Sequence, residues 1–253
     1  MTFFESLLVA LSTYSIVPVP QFAWNEKNRK YAICFFPVVG ILCSAVLYGW
    51  YTLCTALEVS AVLFGVVAVC LPLGLTGGIH MDGFMDTVDA LASRQSREKK
   101  LEILKDSHIG AFAPIYLGIY LLLNFGLLYE LYLQENILLV LPVYILSRSL
   151  SALCAVALPN ARKFGMLYAY TQDTDRKIAT AVMAALALLC MAGLIALSWL
   201  PGTVAVVASI LCVLCYRSIA LRQFGGVTGD TSGFFLEVCE LAMMAGIWVG
   251  ALL

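Results

Sequence analysis

Runs of about twenty apolar residues, the length needed to cross the hydrocarbon core of a bilayer, recur from end to end of this 253-residue chain. They fall near residues 33–53, 59–76, 112–133, 137–158, 178–200, 203–221 and 233–253. Inside a bilayer every backbone N–H and C=O must bond within its own structure, so isolated runs of this kind fold as helices. Composition agrees with that reading and excludes a soluble globular domain. Charged residues make up 12% of the chain, against about 25% in ordinary domains, and the mean hydropathy is +0.92. The expected fold is all-α, a polytopic integral membrane helical bundle of about seven transmembrane helices, with one domain over residues 1–253. A net charge of −1 gives nucleic acid no footing as a partner, whereas a lipid bilayer is implied.

The nine cysteines lie within or at the edges of apolar runs and read as small buried hydrophobes. Cys212 and Cys215 form a CxxC in mid-span, with no second pair or histidine to complete a metal site. Residues 2–18 lack a basic start and a small-residue cleavage site, so no removable signal peptide is expected. Thr2 to Val17, closed by Pro18 and Pro20, reads as an interfacial helix or a short re-entrant segment.

The cations fix an orientation. Of fifteen Lys and Arg, Lys27, Arg29 and Lys30 precede the first span and five lie between the second and third. Arg162, Lys163, Arg176 and Lys177 lie between the fourth and fifth, and Arg217 and Arg222 flank the sixth. The alternate connections, near Glu58, Glu130 to Glu135 and Pro201, carry none. By the positive-inside rule every basic loop is cytoplasmic, which predicts a multi-pass protein of the cell (inner) membrane with its polar motifs facing the cytoplasm.

Those motifs are four. Gly77 to Asp89 follows the second span and places Asp82, Asp86 and Asp89 at i, i+4 and i+7. On a helix they share one face, roughly 40° and 20° apart from Asp82. No opposite charge stands three or four residues away, so the face calls for a cation, and an all-oxygen ligand set suits Mg²⁺. The rise from Asp82 to Asp86 is about 6 Å, short enough for one ion, whereas Asp89 lies about 10 Å along and would serve a second ion or a substrate group. His80 points about 200° away from that face. Second, Lys105 to Gly110 closes the same loop and offers Asp106, after a basic stretch from Arg94 that reads as a surface helix anchored on anionic lipid. Third, Arg148 is the one basic residue well inside a span. Such a charge faces the interior with a partner, either Glu237 or Glu240 or, together with Arg162, a phosphate. Fourth, Gly225, Gly226, Thr228, Gly229 and Asp230 open the last span, where glycine-rich backbone can present N–H groups to an anion. Together these outline a wet cavity suited to Mg²⁺-assisted transfer of a phosphoryl-type group.

These residues resemble the cobalamin synthase, or adenosylcobinamide-GDP ribazoletransferase, family over nearly the whole chain. The early Pro18-Val19-Pro20 and Phe36-Pro37-Val38-Val39-Gly40 fit, and Gly77 to Asp89 is similar to the family's GG-hydrophobic-H-hydrophobic-DG-xx-D-xx-D core. Leu101 to Gly110, Ser147-Arg148 and Gly225 to Asp230 with Glu237 and Glu240 follow in family order. Ala90 stands where glycine is expected, His108 where arginine is frequent, and Ile16 where a basic residue often precedes the proline pair. The resemblance implies attack of the ribose 3′-hydroxyl of α-ribazole, or of α-ribazole 5′-phosphate, on the cobinamide-side phosphorus of adenosylcobinamide-GDP, with GMP leaving and Mg²⁺ required. It implies metal ligation by Asp82 and Asp86, and a second ligand or general base in Asp89 or Asp106. Gly77, Gly78, His80, Arg148, Arg162 and the 225–240 motif would contact substrate or phosphate, and the protein is a candidate homo-oligomer. A CDP-alcohol phosphotransferase also has a DG-led acidic helix, but Asp86-Thr87 stands here where that family has Ala-Arg. A transporter would be favoured by halved internal symmetry, and the sequence has none.

Overall fold

The structure, a computed structural model, describes residues 2–20 and 29–253. Lys27 lies outside the described residues. Eleven α-helices are present among the described residues: α1 (Thr2–Tyr14), α2 (Phe36–Ala56), α3 (Ala61–Thr76), α4 (Ile79–Ala92), α5 (Arg97–Ile103), α6 (Phe112–Leu133), α7 (Ile137–Ala157), α8 (Met166–Asp173), α9 (Arg176–Leu197), α10 (Trp199–Ile219) and α11 (Gly229–Leu252). A 3₁₀ turn, Ala32–Phe35, leads into α2, and a π turn, Ala220–Phe224, extends α10. Six helices are long and apolar enough to span a membrane, seven if α3 and α4 count as one bent span. The all-α multi-pass fold is therefore as expected, and no β-strand occurs among the described residues.

The helix ends follow local chemistry. Ser60, Ser96 and Asp175 cap α3, α5 and α9 by accepting the amides of Leu63, Lys99 and Ile178, which satisfies N–H groups that a helix start leaves without a partner. Thr228 and Thr231 form a reciprocal capping box at the start of α11. α1 is 13 residues long, about 20 Å, too short to cross the membrane. It carries exposed Phe3 and Phe4 at one end and is tied to α3 by Ile16 N–H donating to the Leu75 carbonyl at 2.9 Å.

Packing inside the bundle depends on small residues that let backbones touch, as lipid supplies no hydrophobic drive between helices. A Cβ on Gly40 of α2 would lie 2.5 Å from the Tyr144 carbonyl of α7, and one on Gly250 of α11 would lie 2.5 Å from Pro201 of α10. Beside the first contact, Ser44 of α2 donates to the Leu141 carbonyl of α7 at 2.6 Å.

The largest departure from a parallel bundle is at Gly77 and Gly78, with φ of 62° and 74°. Left-handed backbone is readily adopted by glycine and costly for other residues. Two in succession turn the chain by 95°, so α4 leaves the axis of α3 nearly at right angles. Its apolar stripe of Met81, Phe84 and Val88 packs on Tyr120 of α6 and on Phe234 and Val238 of α11. Its backbone meets that of α11 directly: a Cβ on Gly83 would lie 2.8 Å from the Asp230 carbonyl, and one on Gly233 would lie 2.8 Å from the His80 carbonyl. Replacing Gly83 by Ala is expected to lower the thermal midpoint in detergent, since overpacking costs about 1–3 kcal/mol. The Gly74→Ala change, with nothing within 4 Å of the new Cβ, should be neutral or stabilising by about 0.5–1 kcal/mol through better helix propensity. Paired thermal melts of the two variants check the difference.

Candidate active site

The bend and the crossing assemble the site. α4 presents Asp82 exposed and Asp86 half-buried on the face opposite its apolar stripe. The Gly83–Asp230 contact then brings the first turn of α11 against that face. Arg162 arrives by a different route. Asn160 and Val227 form a parallel β-bridge, in which Val227 N–H donates to the Pro159 carbonyl at 2.8 Å and Ala161 N–H to the Val227 carbonyl at 2.9 Å. This backbone clamp carries the Arg162 guanidinium to within 3.6 Å of the Asp230 carboxylate. Arg162 also donates to the Leu101 carbonyl at 3.2 Å, and its Nε has no partner among the described residues.

Electrostatics mark Asp86, which lies on α4, outside the six single-helix candidate spans. Burial first, then the charges of Asp82, Asp230 and Asp89, raise its carboxyl from 3.8 to about 7, with Arg162 pulling the other way. An acidic group raised in this way by burial and by like charges is the mark of a place built for a cation or a proton. No three His, Cys, Asp or Glu side chains among the described residues converge into a closed metal cage. Mg²⁺ keeps several waters and is usually bound through one or two carboxylates plus substrate phosphates, so an open acidic pair fits that ion.

A cavity of about 320 Å³ opens beside the pair and is lined by Asp82 and Asp230 together with Tyr14, Phe36, His80 and Ser151. A second, of about 220 Å³, shares Gly229 and Asp230 and is lined by Arg162 and Asn160. Asp82, Asp86, Asp230, Gly229 and Arg162 are thus brought together. Gly77 and Gly78 build the bend and line a shallow groove with Asp82.

The other expected residues have different surroundings. Asp89 accepts the Gly110, Phe112 and Ala113 amides at 2.9, 3.1 and 3.0 Å. Both of its oxygens cap α6, which corrects the expectation of a metal ligand or general base there. Asp106 is exposed and bonds the amide and the Nδ1 of His108 at 3.0 and 2.6 Å, a local turn away from the acidic pair. Arg148 is buried and donates to Glu240 at 2.7 Å and to the Tyr144 carbonyl at 2.9 Å, so the ion-pair alternative holds and the phosphate contact does not. Glu240 also accepts from Ser147 at 2.7 Å, while Glu237 accepts from Tyr120. Both glutamates are interior groups of the bundle.

The Gly226 and Val227 amides are committed to the Ala220 and Pro159 carbonyls, and Thr228 N–H donates to Thr231 Oγ1 at 2.9 Å. Gly225 and Gly226 therefore shape a clamp instead of offering N–H groups to an anion, and Thr228 serves as the cap of α11. The basic stretch folds only over α5, and it is drawn inward: Arg97 donates to the Phe224 carbonyl at 2.8 Å and buried Lys100 to Gln223. Its docking on the π turn corrects the lipid-anchor reading for these two residues. Sequence reasoning missed Tyr14, Phe36 and Ser151 as cavity walls. Phe36, which opens the Phe36-Pro37-Val38-Val39-Gly40 motif, was the nearest available signal.

The family model described as "Cobalamin-5-phosphate synthase" matches residues 6–248. A Lachnoclostridium phytofermentans protein named adenosylcobinamide-GDP ribazoletransferase is 37% identical over 98% of this chain and 94% of its own length. One of the same name from Clostridium botulinum (strain Alaska E43) is 32% identical over 94% of each chain. No solved structure matches significantly. With a family match spanning nearly all of the described bundle, the chain belongs to the cobalamin-5-phosphate synthase family.

Proposed function

We propose that this chain joins adenosylcobinamide-GDP to α-ribazole or α-ribazole 5′-phosphate, giving adenosylcobalamin or its 5′-phosphate and GMP. The observation that carries the reading is the acidic pair Asp82–Asp86 set beside Asp230 and Arg162, with Asp82 and Asp230 lining a cavity, in a chain whose relatives bear that enzyme name. The ribose 3′-oxygen forms a bond to the cobinamide-side phosphorus, the phosphorus–oxygen bond to GMP breaks, and the hydroxyl proton passes to a carboxylate.

On this reading Asp82 and Asp86 hold Mg²⁺, which when bound neutralises diphosphate charge. Asp230 lines both cavities and takes the hydroxyl proton. Arg162 steadies phosphate oxygens, for which a guanidinium fork is well shaped. The cationic loops argue for a site on the cytoplasmic side of the cell membrane, where nucleotide substrates are available. A transporter is disfavoured because the acids cluster at one end of the bundle.

Assay of the purified protein in detergent for GMP release, with and without α-ribazole and Mg²⁺, tests the function directly; no GMP under any condition overturns it. Asp82→Asn should reduce Mg²⁺-dependent turnover roughly a hundredfold, the scale of losing one charge contact to a transition state. For Asp86 the folded carboxyl lies above its unfolded value, so its contribution to stability is intact below about 4 and is lost as pH rises to about 7. In chelator, Asp86→Asn should therefore melt higher than the parent at pH 8 and equally at pH 4. Added Mg²⁺ should raise only the parent. Thermal melts across that range check all three outcomes.

A further inference from the structure

The 220 Å³ cavity is built from two pieces of chain. The Asn160–Val227 clamp supplies one, and the stretch entering α8 supplies the other, with Phe164 and Tyr168 among its lining residues. Phe164 is 56% exposed, and the Lys105 ammonium stands 4.6 Å from its ring centroid. Gly165 and Gly229 also line the cavity, and a Cβ on either would meet nothing within 4 Å. Asn160 has its bonding half complete. Its Nδ2 donates to Thr171 Oγ1 at 2.8 Å. The Thr171 hydroxyl spends its own proton on the Leu167 carbonyl at 2.9 Å, so toward Asn160 it can only accept, which fixes the amide's nitrogen on that side. The oxygen is turned the other way and accepts from no described residue. A half-buried acceptor held in one direction selects ligands that carry an N–H.

The reaction read above needs two rooms that meet at the phosphorus, because attack and departure are roughly in line. One room holds the attacking ribose and the other the departing GMP. The two cavities share Gly229 and Asp230, and Arg162 lines the smaller but not the larger. As the phosphorus–oxygen bond breaks, negative charge gathers on the GMP phosphate, and a guanidinium acts where that charge develops. This gives the smaller cavity to the leaving nucleotide. Volume agrees: 220 Å³ is below the usual range for a drug-sized ligand, so it admits a single base and no corrin macrocycle. Guanine presents an N1–H and an N2 amine on one edge, whereas adenine has a bare N1 acceptor there.

We propose that this cavity seats the guanosine of the departing GMP, with Asn160 Oδ1 accepting from the N–H edge of guanine and the Phe164 ring lying against the base. The inference rests on the reading above that adenosylcobinamide-GDP is the donor. It makes Asn160 a specificity-determining residue that reads the base, while Arg162 in the same cavity holds the phosphate.

Equilibrium titration of GMP and AMP into the full chain in detergent tests it without turnover. The parent should bind GMP about tenfold more tightly than AMP, the scale of one hydrogen bond. Asn160→Ala should bring the GMP Kd to the AMP value and leave the AMP Kd within about twofold. Phe164→Ala, at an exposed position, should weaken both nucleotides about tenfold, the scale of one base–aromatic stack, and leave the KM for α-ribazole within about twofold. Equal affinity for the two nucleotides in the parent, or none for either, overturns the inference whatever the variants do. So does a GMP preference that survives Asn160→Ala, or a Phe164→Ala effect that falls on α-ribazole instead. If the parent releases no GMP from adenosylcobinamide-GDP and α-ribazole, the functional reading itself has failed; normal turnover with equal binding of GMP and AMP sinks only the guanosine site.

Discussion

The crossing of α4 over α11 is the contact on which the rest depends. Two glycines, Gly83 and Gly233, let the helices approach backbone to backbone, and the acids of α4 thereby meet Asp230 of α11. Burial first, and then repulsion within the cluster, raise the Asp86 carboxyl. What holds it is apolar packing beneath: Phe84 stacks on Phe234 at 5.8 Å and leans on Tyr120 at 5.4 Å. Arg162 offsets part of the charge from above. The site is a strained polar layer laid over a well-packed apolar one, an arrangement typical of places where function opposes stability.

Much of the fold was legible in the sequence because a bilayer imposes a length and a polarity that composition alone reveals. The expected span at 112–133 is α6 to the residue, and the spans at 137–158 and 178–200 each differ from α7 and α9 by a few residues at most. The acidic face was legible for a similar reason: spacing fixes which residues share a helix face. It does not fix what that face meets. Asp82 and Asp86 meet Asp230, but Asp89 on the same face reaches only the amides of 110–113, since it stands one turn further along the helix. The glycine-rich 225–230 backbone reads as anion-binding, whereas the Gly226 amide donates to the Ala220 carbonyl and the Val227 amide to the Pro159 carbonyl. Backbone pairing between positions as far apart in the chain as Asn160 and Val227 leaves no mark in local sequence.

Arg148 shows the same limit inside the membrane. Its burial followed from cost alone, but the choice between Glu240 and a phosphate depended on depth along α7, which sequence does not give. The pair, with Ser147 and the Tyr144 carbonyl around it, is weak evidence for stability, because desolvating two ions offsets most of their attraction. It does fix geometry. With Tyr120 on Glu237, it locks α7 and α6 to one register against α11, and α11 carries Asp230.

Chain order gives the Asp89 cap a further meaning. The carboxylate that starts α6 is synthesised before α6, so that span meets a ready-made cap as it emerges. The acidic pair has no such provision: Arg162 is clamped by Val227, and Asp230 and Gly233 belong to the final helix. Until that helix inserts, α4 lacks its crossing partner and its counter-charge. The protein's earliest polar motif is therefore completed by its last span, and a ribosome stalled before α11 would leave a bundle of nearly every membrane helix with no working site in it.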